Sequence, residues 1–158
     1  MRTSIETIEG HDIFLEDDGR ITYTAKAAID ADGSGPSLRD PHFQPDTSLH
    51  FNHKALDATK VPYVIVPLSI IDAVKPIVLG CQARVSFRSK TVNAVVGDIG
   101  PRNKVGEISV ACAEALNIPH SRVSGGVDDG VHYEIIPGQA AVVNGVTYVL
   151  TPHPDPLA

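Results

Sequence analysis

With 158 residues and 42% hydrophobic content, the chain has material for one compact core and is too short for two domains of ordinary size. A net charge of −6 argues against nucleic acid as a partner, because phosphate binding needs clustered Lys and Arg; it suits plain solubility or a cationic polymer. Aromatic residues make up 5% and Trp is absent, so the core must be filled by Val, Ile, Leu and Ala, which favours β packing of small residues.

Residues 1–18 carry Glu6, Glu9, Asp12, Glu16, Asp17 and Asp18 and read as an N-terminal extension. They lack a basic start followed by an apolar stretch, so no classical secretion signal is expected. After an Asp-Asp-Gly turn signal, Gly19 to Ala25 alternates like a half-buried strand and is the first strand of the domain. Asp30 to Phe51 holds Gly33, Gly35, Pro36, Pro41 and Pro45 among polar residues and reads as a long exposed loop, a length usually kept for function. Val61–Pro67, Ile77–Leu79, Gln82–Arg88 and Lys90–Val96 are short and β-branched, and add four strands. Pro62 and Pro67 break the longest apolar run, which is far too short to span a bilayer, so a soluble protein with no membrane partner is expected.

From Glu107 to Leu116 the apolar residues Ile108, Ala111, Cys112, Ala115 and Leu116 recur at helical spacing, and Asn117 with Pro119 closes the pattern. Turn signals at Gly125, Gly126 and Gly130 precede a strand over Val131–Ile136 and a turn at Pro137-Gly138. Ala141–Val143 and Val146–Leu150 form a hairpin across Asn144-Gly145, a type I′ signal. Residues 151–158 hold three prolines and read as a tail. The chain is thus mainly β: one small barrel domain over residues 19–150, with one short helix and a long loop.

The most informative segment for chemistry runs through Gly97-Asp98-Ile99-Gly100-Pro101 to Gly106-Glu107-Ile108-Ser109. A buried strand delivers Asp98 to its end, and Glu107 opens the helix, so two carboxylates reach one rim beside glycines where a polymer can approach the backbone. Glycoside hydrolysis needs such a pair, one carboxyl protonating the leaving oxygen and the other activating water or attacking the sugar. The same residues also fit simpler roles, Asp98 as a turn former and Glu107 as an acid complementing the helix dipole. That dipole would favour ionised Glu107, whereas a general acid must hold its proton.

Asp30, Asp32, Ser34 and Gly35 mimic the start of a calcium loop, but Pro41 stands where the bidentate Glu belongs. Asp30 and Asp32 better suit cationic amines of a substrate, held by charge-assisted hydrogen bonds, or a solvated turn. His50 and His53 have a spacing zinc sites use, without a third ligand nearby in sequence, and read as loop residues. Lys26 and Tyr63 are candidates to line a sugar groove, although a strand Lys is more often an exposed edge residue. Cys81 and Cys112 fit no zinc motif, and Cys112 on the apolar helix face is expected to be packed. No metal or cofactor is expected. No nucleophile elbow, phosphate-binding glycine loop or dinucleotide fingerprint occurs in the sequence.

The set Asp30-Ala31-Asp32-Gly33, Leu56-Asp57-Ala58 with Val61-Pro62-Tyr63, Gly97-Asp98 and Gly106-Glu107-Ile108-Ser109 resembles the fungal-type chitosanases of glycoside hydrolase family 75. Gly130-Val131-His132-Tyr133-Glu134 with Pro137-Gly138 extends the likeness over roughly residues 22–138. The resemblance implies endo-hydrolysis of β-1,4-linked glucosamine polymers with inversion, on an essential pair matching Asp98 and Glu107. The family's secreted members carry a cysteine-bearing Asp-Cys-Asp motif where this chain has Ala31, so the disulfide expected there is missing. Val92 to Leu116 is also similar to the double-psi β-barrels of rare lipoprotein A, expansins and related endoglucanases. That likeness implies a six-stranded double-psi barrel with Glu107 as general acid and Asp98 as base or electrostatic partner. The expected protein is a monomeric chitosanase with a polysaccharide substrate. The alternatives are a peptidoglycan-cleaving hydrolase or lytic transglycosylase, and a non-catalytic sugar-binding barrel.

Overall fold

The computed structural model describes residues 2–30, 47–51, 54–73, 79–121 and 125–151. In chain order its elements are β1 (Thr3–Ile8), β2 (His11–Leu15), β3 (Ile21–Asp30), β4 (His50–Phe51), β5 (Lys54–Ala55), β6 (Tyr63–Pro67), α1 (Leu68–Ala73), β7 (Cys81–Phe87), β8 (Lys90–Gly100), β9 (Glu107–Ser109), α2 (Val110–Ala115), β10 (Val127–Ala140), β11 (Val142–Val143) and β12 (Val146–Thr147).

Six of these strands close into the expected barrel, in the order β3-β10-β7-β8-β6-β9 and back to β3. The pairs β3–β9 and β6–β8 are parallel, and the remaining barrel pairs are antiparallel. Alternation decides which side chains fill the interior. On β3, Ile21, Tyr23, Ala25 and Ala27 are buried while Thr24 is exposed; on β10, Val131, Tyr133 and Ile135 are buried while His132 is exposed. Tyr23 and Tyr133 are cross-strand partners and stack at 4.8 Å between ring centroids. Cys81 and Cys112 are both free and packed in the same core, where burial pushes each thiol up to about 12. Among the described residues no helix is long and apolar enough to cross a membrane.

Several boundaries differ from the sequence reading. Residues 3–15 form a hairpin whose second strand pairs with β3, extending the sheet beyond the barrel. The helix read as starting at Glu107 starts at Val110, because Glu107–Ser109 is bonded as a strand to β3 on one side and β6 on the other. Ser109 makes the transition: its hydroxyl donates to the Val61 carbonyl at 2.7 Å, accepts from the Tyr63 N–H at 2.9 Å, and caps the helix by accepting from the Cys112 N–H at 3.2 Å. A second helix, α1, follows Pro67 directly and buries Ile70 and Ile71. The turn at Asn144-Gly145 is the expected two-residue loop, with φ of 51° and 78°. Of the expected strand at residues 77–79, only Leu79 is described, bridged to Thr151. Most of the long loop, residues 31–46, and the tail beyond Thr151 lie outside the described residues.

Gly106 joins the loop after β8 to β9 at φ +89°, and a Cβ there would lie 2.2 Å from the Lys26 carbonyl oxygen. Gly145, at φ +78°, has nothing within 4 Å of the same construction. Gly145→Ala should therefore cost about 1 kcal/mol from backbone strain alone, and Gly106→Ala at least about 2 kcal/mol more, since β3 must also move. Urea unfolding of both variants checks the difference.

Candidate functional site

Asp98 and Glu107 are brought together through a third residue. Ile65 of β6 is the lateral partner of Asp98 on β8 and of Glu107 on β9. Lateral partners project to one face of a sheet, so the two carboxylates flank the Ile65 side chain. Two strand spacings place their α-carbons about 10 Å apart. Gly100, two residues beyond Asp98, shares this face: a Cβ there would lie 3.0 Å from Ile65 Cγ2 and 3.7 Å from Glu107 Oε1. The bare backbone of Gly100 thus makes room for the Glu107 carboxyl.

A bulge puts Asp98 on this face. Val64 pairs with Val96, but Ile65 pairs with Asp98, so Gly97 is skipped. A regular ladder would set Gly97 opposite Ile65 and turn Asp98 to the other side. The skipped position needs glycine: a Cβ on Gly97 would lie 2.8 Å from Leu56 Cδ1 and 2.9 Å from Tyr63 Cβ. Its carbonyl accepts from the Leu49 N–H at 3.0 Å, anchoring the segment that returns from the long loop.

The two carboxylates have different surroundings. Asp98 is buried, and its Oδ1 accepts from the Ser48 N–H at 3.0 Å, the Ser48 hydroxyl at 2.9 Å and the Ile99 N–H at 3.0 Å. Glu107 is mostly buried, and loss of hydration raises its carboxyl above the ordinary value, with Asp30 and Asp98 pushing the same way. Lys104 and Lys26 oppose this from nearby. Because Glu107 lies on a strand before α2, the helix dipole expected to ionise it does not act as the sequence reading assumed.

Asp30 ends β3 two residues past Ala28, the lateral partner of Glu107, and so lies on the same face. Lys26 stands two residues before Ala28 on that face, and its Nζ pairs with Glu9 at 3.1 Å. Asp32 and the rest of the calcium-like segment lie outside the described residues, as does His53. Tyr63, expected to line a groove, is instead fully buried in the core beside Leu56 and the Gly97 backbone. It begins a continuous apolar run, Tyr63–Pro67, in which every residue is buried, so no alternation marks which side it faces. Among the described residues no group of three His, Cys, Asp or Glu is disposed to hold a metal ion.

Ser48, Ile65, Lys104 and Glu9 escaped the sequence reading. Ser48 meets Asp98 across 50 residues of chain, and no local pattern announces that contact. Glu9 lay in a segment read as an extension, although its position before Gly10, between Ile8 and Ile13, carried a hairpin signal.

No family model and no curated protein matches the chain. Among solved structures it is similar to one described as Streptomyces papain inhibitor (SPI), at 17% identity and a TM-score of 0.47, over 73% of this chain and 94% of that one.

The raised carboxyl of Glu107 makes stability fall as pH rises. Between the ordinary carboxylate value and the raised one, the folded state keeps a proton that the unfolded state has released. The contribution of Glu107 to stability is therefore greatest below that window and lost above it. Glu107→Gln should melt above the wild type at pH 7, by about 2–4 °C for each kcal/mol of relieved desolvation, and the difference should vanish in acid. Calorimetry across pH reads this directly; an unchanged or lower melting temperature at pH 7 would contradict it.

Proposed function

We propose that this chain is an endo-acting glycoside hydrolase that cleaves β-1,4-linked glucosamine polymers with inversion, Glu107 serving as general acid and Asp98 as general base. The observation that carries this reading is the pair itself: two carboxyl groups on one sheet face, held apart by Ile65, with different hydrogen-bonding surroundings. Burial and neighbouring acids favour the protonated form of Glu107, which a proton donor requires. Asp98 Oδ1 accepts hydrogen bonds from the Ser48 N–H and hydroxyl and from the Ile99 N–H, which orient a carboxylate to receive a proton from water. An α-carbon separation of about 10 Å is compatible with the roughly 6.5–9.5 Å between carboxyl groups that leaves room for water in an inverting enzyme.

In the proposed reaction Glu107 gives its proton to the glycosidic oxygen as the C–O bond breaks. Asp98 takes a proton from a water that attacks the anomeric carbon from the opposite side, yielding the α-anomer from a β-linkage. Asp30 beside Glu107 and the net charge of −6 suit a cationic sugar chain. The chitosan assignment itself rests on the sequence resemblance.

Reducing-end release from soluble chitosan tests this. The wild type should be active, and Glu107→Gln and Asp98→Asn, each shown to be folded, should each lose about 100-fold or more in kcat. The alkaline limb of wild-type activity should follow the ionisation of Glu107, above the usual carboxylate range. Absence of release by a folded wild type would reject the proposal, and an anhydro sugar product would replace it with lytic transglycosylation.

A further inference from the structure

Glu9 occupies the first position of the two-residue turn between β1 and β2, with φ 52° followed by Gly10 at 80°. That position normally takes Asn, Asp or Gly, because other side chains meet steric cost in the left-handed region. The side chain explains its presence. Glu9 Oε1 accepts from the Val105 N–H at 2.9 Å, and the two carboxylate oxygens take Lys26 Nζ at 3.2 and 3.1 Å. Val105 immediately precedes Gly106-Glu107, and the Gly106 carbonyl accepts from the Ala28 N–H at 2.8 Å, two residues past Lys26. One carboxylate on the N-terminal hairpin therefore ties the segment that carries Glu107 to the strand beside it, β3.

We propose that Glu9 is a positioning residue for Glu107: it anchors the Val105 backbone and holds Lys26 in an ion pair, and so sets how much positive charge the Glu107 carboxyl meets. The catalytic consequence rests on the reading of Glu107 as general acid; the electrostatic link itself does not. Among the described residues the charged groups acting on Glu107 are Asp30 and Lys26 from β3, Lys104 from the preceding loop and Asp98 from β8, and the buried phenols of Tyr23 on β3 and Tyr133 on β10 also interact with it. Lys26 and Lys104 also act on Glu9. The hairpin and the site thus share both cations, and Glu9 draws their field away from Glu107. Neutralising Glu9 returns that field to Glu107 and makes it a weaker proton holder; removing Lys26 does the reverse.

The Glu107 carboxyl resonance, followed by NMR through a pH titration of the whole chain, tests this without substrate. Glu9→Gln, whose amide oxygen still accepts from the Val105 N–H, should move the midpoint down by roughly 0.3–1 on the pH scale. Lys26→Met should move it up, and the double variant should return it close to the wild type. A Glu9→Gln midpoint that is unchanged, or displaced upward, would overturn the proposal. So would a double variant that behaves as Glu9→Gln alone. Failure of chitosan cleavage would reject the proposed function and leave these outcomes readable.

Discussion

Closure of the barrel depends on the backbone of three residues, Glu107 to Ser109. Their amides and carbonyls bond in parallel to β3 and antiparallel to β6, so this short strand joins the two ends of the sheet. The strand is too short to hold itself by its own ladders. It is secured at one end by Gly106, which lets the backbone pass close to Lys26, and at the other by Ser109, whose hydroxyl ties the strand to Val61, Tyr63 and Cys112. Ile108, buried between them, faces the core. The residue whose chemistry matters most to the proposal thus sits on the segment whose pairing closes the fold.

That placement explains the tension in the site. An acid carried on a closing strand beside Ile65 loses hydration, and stability falls wherever it ionises. Asp98 is buried too, and there the Ser48 and Ile99 donors meet its carboxyl group. The two carboxylates differ through what the fold packs against them. A bulge at Gly97 and an absent side chain at Gly100 make the arrangement sterically possible.

Much of the fold was legible because short β-branched runs broken by Pro, Gly and Asn-Gly carry their own boundaries. The strand after Gly19 and the Asn144-Gly145 hairpin follow from local chemistry alone. That Asp98 and Glu107 come to one rim was legible too, since Asp98 follows an apolar run and Gly97, and Glu107 follows Gly106 at the start of another apolar segment. The start of α2 was not: Ile108, Ala111, Cys112 and Ala115 have helical spacing, and partners distant in sequence claim Glu107–Ser109 as strand before that spacing can act. Residues 3–15 were missed because their acidity outweighed the alternation of Ile8 and Ile13 about Glu9-Gly10.

The sequence by itself determined a mainly β chain with a small-residue core, the turns that divide its strands, and two acids that each follow a glycine. These are properties of neighbours a few residues apart, which propensity and periodicity report. Tertiary structure alone decided that Asp98 and Glu107 share the face of Ile65, that Tyr63 is core, and that Ser48, Lys26 and Glu9 are tied to the site and its supporting segments. The reason is that face, burial and charge environment depend on strand register and on contacts between residues tens of positions apart. A one-residue bulge is enough to reverse which side chain meets which.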